Sequence, residues 1–211
     1  MDTQKLLDTL VKRYPSLEGI RNDVENVSNI IIESYENGGK LLTCGNGGSN
    51  ADADHIVGEL MKSFSKKRPL ESSFENSLAS IDPEKAEFLA SHLERGLPAI
   101  SLSAHAALNT AVSNDIHGDL IFAQQVNGYG KKGDVFLGIT TSGNSKNVIY
   151  AAIVAKAKGM KVLGLTGETG GELKNYCDAI IRVPAKWTPE VQEYHLPVYH
   201  TVCQIIEYHF F

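Results

Sequence analysis

The segment from Lys40 to Glu59 constrains the fold more than any other stretch of this chain. It reads KLLTCGNGGSNADADHIVGE, in which a short apolar run leads into three glycines within four positions and then into a helical pattern. Glycine lets the backbone turn sharply and approach a ligand closely. The start of the helix, which Ser49 or Asn50 can cap, offers free N–H groups to an anion or a polar sugar. The segment predicts a strand, a tight turn and a helix N-terminus suited to binding.

Two side chains of that helix, His55 and Glu59, are candidates for chemistry because residues four apart point from one helical face. Taken alone, the pair is better explained as a surface contact between helical neighbours. The C-terminal helical pattern, from about Pro189 onward, adds Gln192 and His200, which lie within about 80° of each other on the helical wheel. Together the four side chains offer two nitrogens and two oxygens, a set that could bind zinc or a similar divalent ion.

The C-terminal pattern leaves questions open. His195 and Tyr199 form a competing pair on a neighbouring face, and ligation of a metal by the amide of Gln192 would be unusual. Pro197 lies inside the pattern and predicts a kink or the loss of one backbone hydrogen bond. The sequence alone does not bring the two helices together.

Strand patterns alternate with helical patterns after the first 37 residues, which are themselves helical and are stopped by Gly38-Gly39. The predicted strands span 40–44, 99–103, 134–140, 161–166 and 178–183, and the predicted helices span 50–64, 104–113, 120–129, 145–158, 171–176 and the chain from about 189. Each strand is short, apolar and bounded by Gly, Pro or Asp. Such alternation predicts an α/β fold, an open parallel sheet flanked by helices on both faces, with N-terminal helices.

Residues 65–96 interrupt this rhythm with a long, charged and Ser-rich stretch that has helical character around 83–95. The stretch is predicted to be an insertion, either a surface excursion or a flap over an active site. Its Lys66-Lys67-Arg68 run is expected to be solvated.

A hydroxyl-rich loop at 140–145, TTSGNS, follows a strand and opens a helix. Hydroxyls and free N–H groups there can bind a phosphate without Lys or Arg, although Ser and Thr are also common as simple helix caps. The loop fits neither the nucleotide P-loop nor the dinucleotide pattern. Asn114-Asp115 is explained either as a turn at a helix end or as a pair that holds sugar hydroxyls.

Composition excludes several classes of function. The net charge of −5 over 211 residues lacks the basic footprint of a nucleic-acid binder, and no apolar run reaches the roughly 20 residues of a membrane span. The N-terminus lacks a signal-peptide pattern, and three widely spaced cysteines suit reduced thiols. We therefore expect a cytoplasmic protein that binds neither nucleic acid nor membrane.

These motifs together resemble the sugar isomerase (SIS) domain and, within it, the phosphoheptose isomerases. The matching stretches are CGNGGSNADADH with Glu59 downstream, LPAISL, SND, FAQQV, GDVFLGITTSGNSKNV, GLTGETGGEL and VQEYHLPVYH. The resemblance implies a flavodoxin-like open sheet and a single SIS domain over 1–211, with a helical arm at 1–37, an α/β core at 38–211 and an insertion at 65–96. It also implies a homotetramer with active sites between subunits. The apolar stripe from Ile20 to Tyr35 would be the surface buried there.

The resemblance also assigns roles to individual residues. It implies Glu59 and His200 as catalytic residues and a zinc ion bound by His55, Glu59, Gln192 and His200. The implied substrate-binding residues are Asn46, Gly47, Gly48, Ser49, Asn114, Asp115 and Gln192 for the sugar and Thr140, Thr141, Ser142 and Ser145 for the phosphate. Thr140 stands where a serine is usual, which keeps the hydroxyl, and Asp54 where glutamine is common.

The implied reaction is the isomerisation of D-sedoheptulose 7-phosphate to D-glycero-D-manno-heptose 7-phosphate through an enediol. Two alternatives remain at this stage. One is an SIS isomerase for another sugar phosphate, since the insertion could change which sugar fits. The other is a non-catalytic SIS protein that tetramerises and binds a protein partner such as a replication initiator.

Overall fold

Five parallel strands form one sheet in the computed structural model, which describes residues 2–211. The strands are β1 (Leu41–Cys44), β2 (Ala99–Ser101), β3 (Val135–Thr140), β4 (Lys161–Thr166) and β5 (Ala179–Arg182). Their order across the sheet is β2-β1-β3-β4-β5, so β1 lies between β2 and β3 and every neighbouring pair is parallel. This is the flavodoxin-like strand order. The predicted fold class is confirmed.

Helices precede the sheet and connect its strands. They are α1 (Thr3–Arg13), α2 (Arg21–Glu36), α3 (Gly48–Met61), α4 (Ser72–Ile81), α5 (Pro83–His92), α6 (Ala106–Val112), α7 (Ile121–Tyr129), α8 (Lys146–Ala157) and α9 (Thr188–Phe210). One predicted helix is wrong: residues 171–176 form only a short 3₁₀ turn at Leu173–Asn175. One helix was missed: the Ser-rich stretch that becomes α4 has Phe74, Leu78 and Ile81 at helical spacing, a pattern that the sequence prediction did not use.

The strands divide the core into two layers. Alternate residues of a strand point to opposite faces, so Leu137 and Ile139 pack with α2, α3 and α9, whereas Phe136 packs with α7 and α8. In β1, Leu41 likewise belongs to the first of these core layers and Leu42 to the second. Helices therefore cover both faces of the sheet, and β1 and β3 are buried on both sides.

The apolar stripe of α2 is used inside the chain. Val24, Val27 and Ile31 are almost fully enclosed, and they join the core layer that α9 also covers. The expectation that this stripe forms a subunit interface is wrong, because the fold of one chain already buries it.

Residues 65–96 form a helical hairpin, α4 and α5, that stands apart from the core. No residue of α4 is buried, and Ala86 is the buried residue of α5. Phe74, Ile81 and Phe88 are exposed. The expectation for the preceding charge run is wrong at Arg68, whose side chain is completely buried.

The long helix α9 runs without interruption through Pro197. A proline cannot donate the backbone hydrogen bond of its turn, so the loss is confined to that bond and does not end the helix. The hydroxyl of Thr201 donates to the carbonyl of Pro197 at 2.8 Å. No helix within residues 2–211 is both long enough and apolar enough to cross a membrane.

Candidate active site

The carboxyl ends of β1 and β3 define the place where the fold can bind a ligand. From β1 the chain continues to β2 on one side, while β3, β4 and β5 extend the sheet on the other. In open α/β sheets, ligands bind outside the carboxyl ends of the strands at such a reversal of order. The glycine-rich turn after β1 and the hydroxyl-rich loop after β3 meet at this edge.

A cleft of about 300 Å³ opens between these two loops and the start of α9. Its lining is made of hydroxyls, amides and backbone. It brings together eight predicted site residues, Asn46, Gly47, Gly48, Ser49, Thr140, Thr141, Ser145 and Gln192, and adds Ile139 and Thr188. Three widely separated stretches of sequence are thus joined in one cavity.

Two glycines of the turn are required by geometry. Gly47 has φ +55°, a backbone conformation that side chains with a Cβ rarely adopt. At Gly48 a Cβ atom would lie 2.5 Å from Nε2 of Gln192, so a side chain at residue 48 would push the amide of Gln192 away from the first turn of α3. This contact places Gln192 in the cleft.

The hydroxyl groups on one side of the cleft lie in pairs at hydrogen-bond distance. Oγ1 of Thr140 and Oγ of Ser145 are 2.9 Å apart, and the hydroxyls of Thr141 and Thr188 are 3.5 Å apart. The helix α8 begins directly after Ser145, so its free N–H groups point toward this side. Hydroxyls and a helix N-terminus in one wall form a suitable anion site.

Two residues of this site were missed by the sequence prediction. Asn147 exchanges two hydrogen bonds with Asn46, at 2.9 and 2.8 Å, and so joins the glycine turn to α8. Thr188 begins α9 and faces Thr141. The available signals were weak: Asn147 extends the TSGNS pattern by two residues, and Thr188 precedes a proline, a common helix start.

Three predicted substrate residues do not line the cleft. Ser142 is exposed, and its Oγ accepts a hydrogen bond from the backbone N–H of Asn144. Asn114 and Asp115 lie in an exposed π-helical turn at Ser113–His117, where the amide of Asn114 donates to the carboxylate of Asp115 at 2.8 Å. The substrate-binding roles of these residues stay predictions.

A second group of side chains brings α3 and α9 together. One ligand atom each from His55, Glu59 and His200 lies within 4.8 Å of the others, which is close enough for one metal ion. Nε2 of His55 is 2.8 Å from Oε1 of Glu59. The surface-contact explanation of that pair is therefore incomplete, because His200 joins it from a helix 141 residues further along the chain.

The donor set of this cluster fits a divalent metal ion. Nε2 of His200 is buried and has no hydrogen-bond partner within residues 2–211. An unpaired imidazole nitrogen beside a carboxylate and a second imidazole is suited to bind zinc, and three protein ligands leave a coordination position for substrate. Gln192 lies in the cleft against Gly48, so its role as a further metal ligand stays a prediction.

The electrostatics of the cluster favour a neutral His200. Burial lowers the pKa of His200, and the positive charges of His55 and Arg13 lower it further, while Glu59 opposes them. A neutral imidazole is the form that binds metal. The hydroxyl of Tyr199 is 2.9 Å from Nδ1 of His55, so Tyr199 supports that ring instead of forming a separate pair with His195.

Two further titratable groups of α3 and α9 have shifted pKa values. Burial raises the pKa of Asp52 to about 6, although the Tyr199 side chain and the charge of His55 oppose this shift. Burial lowers the pKa of His195 to about 4, partly offset by the backbone of Thr166. His195 is fully enclosed in the core, so it is a structural residue and not a ligand of the cluster.

Comparisons with known proteins identify the family of this chain. The sequence pattern of the SIS domain family matches residues 15–95 and 85–167. A phosphoheptose isomerase of Nitratiruptor sp. is 41% identical over 190 residues, which cover 90% of this chain and 88% of that protein. The chain belongs to the phosphoheptose isomerase family.

Solved structures of phosphoheptose isomerases share the fold over almost the whole chain. The structure from Francisella tularensis has a TM-score of 0.75 at 30% identity and covers 98% of both chains. The structure from Neisseria gonorrhoeae has a TM-score of 0.74 at 29% identity, covering 95% of this chain and 94% of that one. The SIS match contains both loops of the cleft but ends before α9, which supplies Gln192 and His200 to the site of this family member.

Proposed function

We propose that this chain is an aldose–ketose isomerase that converts D-sedoheptulose 7-phosphate to D-glycero-D-manno-heptose 7-phosphate through an enediol. One observation carries the proposal. In a chain of the phosphoheptose isomerase family, a hydroxyl-lined cleft and a His–Glu–His cluster lie on the same two helices, α3 and α9. A phosphate-binding region and acid/base groups are the two parts that this reaction needs.

The cleft would hold the substrate. The phosphate is proposed to bind Thr140, Thr141, Ser142 and Ser145 at the start of α8, where helix N–H groups favour an anion. The sugar hydroxyls are proposed to bind the turn after β1 and Gln192, with Asn114 and Asp115 as further contacts. A lining made mostly of hydroxyls, amides and backbone suits a polar, open-chain sugar.

Glu59 is the proposed base and His200 the proposed acid. Glu59 removes a proton from C1 of the ketose, and the C2 carbonyl oxygen takes a proton, which gives the enediol. Return of a proton to C2, with loss of the O1 proton, then gives the aldose without net change of atoms. The half-buried, neutral His200 can donate to and accept from oxygen, and its closeness to Glu59 would let the two groups act on adjacent carbons.

Zinc is the proposed cofactor. His55, Glu59 and His200 would hold it, with Gln192 as a possible fourth ligand. When bound, zinc would polarise the carbonyl and stabilise negative charge on the oxygens. Elemental analysis of purified protein should find about one zinc per chain, and a chelator should reduce activity until zinc is added back. Metal-free protein with full turnover would remove the metal from the proposal.

We further propose a cytoplasmic homotetramer whose partner is the phosphorylated sugar. The three cysteines are free, as expected in a reducing compartment, and two of them are buried. The proposed tetramer and the proposed chemistry are independent of each other, so each needs its own test.

The decisive experiment is an assay of the purified, metal-analysed protein with D-sedoheptulose 7-phosphate and identification of the product by NMR. The reaction should yield a heptose 7-phosphate, and deuterium found at C2 of the aldose after reaction in D₂O would identify proton transfer through an enediol. The same sugar without phosphate should react very poorly. Faster turnover of another ketose or amino-sugar phosphate in a panel would change the substrate, and no turnover of any member would reject the isomerase.

A further inference from the structure

A buried ion pair links the base of the helical hairpin to α9, the helix that carries His200. The side chains of Arg68 and Glu207 have no exposed surface, and the guanidinium contacts Oε1 of Glu207 at 2.9 Å through Nε and Nη2. A charge pair without access to water is costly unless every remaining donor and acceptor is satisfied. The partners of this pair therefore show what it is built to hold.

The guanidinium of Arg68 binds the end of α3. Nη2 donates to the carbonyl of Glu59 at 2.8 Å, and Nη1 donates to the carbonyl of Leu60 at 2.6 Å. The last carbonyls of a helix have no partner within the helix, and they carry its partial negative charge. A planar guanidinium with donors in a fixed fork can bind both carbonyls and a carboxylate at once, which a lysine cannot do.

The carboxylate of Glu207 fixes the chain that leaves α3. It accepts the backbone N–H of Phe64 at 2.8 Å and that of Ser65 at 2.7 Å. The ring of Phe211 lies 4.8 Å from the guanidinium carbon of Arg68 and also from that of Arg95, at the other end of the hairpin. The backbone N–H of Arg95 donates to the carbonyl of Arg68 at 2.8 Å, which closes the hairpin at its base.

Glu207 also lies on the same face of α9 as His200. Seven residues amount to about two turns, so the two side chains differ by only about 20° around the helix and by roughly 10 Å along it. Arg68 thus connects the peptide of Glu59, on α3, to the helix that carries His200. The contacts of Arg68 with Glu207 and with the carbonyl of Glu59 thus bear on the distance between the proposed base, Glu59, and the proposed acid, His200.

We propose that Arg68, with Glu207 as its counter-ion, is a positioning residue that fixes Glu59 relative to His55 and His200. The inference rests on the proposed function for the role of Glu59 in turnover. Loosening α3 by about 1 Å can cost up to about 100-fold in rate when the reacting groups must be aligned. Substrate contacts in the cleft, at the opposite end of α3, would be unaffected.

The test uses two variants of the full chain. Arg68→Met with Glu207→Leu removes both charges, so neither is left buried and unpaired, and Arg68→Lys keeps the charge but loses the fork. We expect kcat to fall at least tenfold in the double variant and less in Arg68→Lys, with KM within threefold of the parent. The affinity for Zn²⁺, measured by competition with a chelating dye, should fall at least tenfold, as expected when support of a metal ligand is removed.

A matched control removes another largely buried ion pair. The carboxylate of Asp134 lies 2.6 Å from Nζ of Lys40, directly before the amino ends of β3 and β1 and away from the carboxyl ends where the site lies. Lys40→Met with Asp134→Asn should therefore lower stability without changing kcat or zinc affinity. A folded Arg68→Met/Glu207→Leu protein with parental kcat and zinc affinity would overturn the inference. If Glu59→Gln retains turnover while the double variant binds zinc more weakly, the catalytic role of Glu59 fails and its positioning by Arg68 stands. If the double variant does not fold, Arg68→Lys alone decides by the same two measurements.

Discussion

Glu59 and His200 carry the proposed chemistry at the scale of single residues. Glu59→Gln keeps the shape of the side chain and removes the base, and His200→Asn removes the acid. Each should lower kcat by at least about 100-fold, the lower end of general acid–base contributions. Steady-state kinetics of the purified variants measure this. Glu193→Gln, an exposed change on α9, is the control, and near-parental turnover in both site variants would remove these roles.

His195 should make the stability of the protein depend on pH. Its pKa is about 4 in the folded protein against about 6.5 unfolded, so between these values the unfolded chain binds more protons and stability falls as pH falls. The full contribution is roughly 3 kcal/mol at 1.4 kcal/mol per pKa unit. It is present above pH 6.5 and lost as the pH approaches 4.

The measurement compares urea unfolding of the parent and of His195→Leu at pH 7 and pH 4.5. Asp52, whose raised pKa gives a contribution of opposite sign, is present in both proteins and cancels in the difference. The parent should lose at least 1 kcal/mol more than the variant over this interval. Equal losses would show that His195 is not held neutral by burial.

Single residues also show where the sequence stops being informative. The spacing of His55 and Glu59 predicts a shared helical face, and the structure places both beside His200. Nothing in the local pattern predicts that Arg68 is buried, because its partner Glu207 lies 139 residues away. From the sequence alone, an arginine that follows two lysines cannot be told from a solvent-exposed arginine. Only the fold brings the carboxylate of Glu207 to Arg68.

The phosphate loop allows a test at the scale of one element. Oγ of Ser145 lines the cleft, whereas Ser142 is exposed and bonded to the backbone of Asn144. Loss of one neutral hydrogen bond to substrate costs about 0.5–1.5 kcal/mol, so Ser145→Ala should raise KM about two- to twelvefold. Ser142→Ala should have a smaller effect if the loop keeps its conformation. Equal effects would show that the loop moves Ser142 onto the phosphate when substrate binds.

The hairpin α4–α5 should be dispensable for the stability of the core. No residue of α4 is buried, and α5 contributes only Ala86. Replacement of residues 72–92 by a short Gly/Ser linker should therefore change Tm by no more than about 3 °C. Leu7→Ala, a core deletion expected to cost about 2–5 kcal/mol, shows that the assay detects a real loss. A large drop in Tm for the hairpin deletion would mean that the hairpin is part of the core.

The elements were predictable to different degrees for physical reasons. The five strands agree with the prediction to within one or two residues, because buried parallel strands are continuous apolar runs with sharp polar boundaries. The helix α4 has its apolar side chains, Phe74, Leu78 and Ile81, at helical spacing, but they lie among serines in a stretch of only ten residues, so the signal is short. The division of the chain into an arm, a core and an insertion within one SIS domain stays a prediction.

At the scale of the whole molecule, the site arises from strand order. The loops after β1 and β3 are about 90 residues apart in sequence, yet the pairing of Leu41 with Val135 sets their strands side by side. The helix α9 then closes both the cleft, through Gln192, and the metal cluster, through His200. One helix therefore fixes the spacing between the proposed phosphate site and the acid/base pair.

The predicted homotetramer would explain why part of the predicted site lies away from the cleft. Asn114 and Asp115 are exposed on a turn beside Ile116, a large apolar side chain that is 56% exposed. If this turn packs against a neighbouring chain, its polar residues can complete the neighbour's cleft while Ile116 is buried. Light scattering should then report four chains, and Ile116→Lys should dissociate them. Phe88→Lys, at another exposed apolar side chain on the hairpin, is the matched comparison, and dissociation by Phe88→Lys alone would place the interface on the hairpin instead.

Mixing of inactive variants tests whether one chain completes the site of another. Glu59→Gln and Asp115→Asn proteins, each of low activity, are unfolded together and refolded as mixed tetramers. About a quarter of the sites should then combine an intact Glu59 with an intact Asp115 from the neighbour, so activity should rise to about that fraction of the parent. Glu59→Gln mixed with His200→Asn is the control, because both residues come from α3 and α9 of the same chain and no intact site can form. Full activity of Asp115→Asn would place this residue outside the site, and a low activity that mixing does not rescue, or a monomer by light scattering, would mean that each chain's site acts alone.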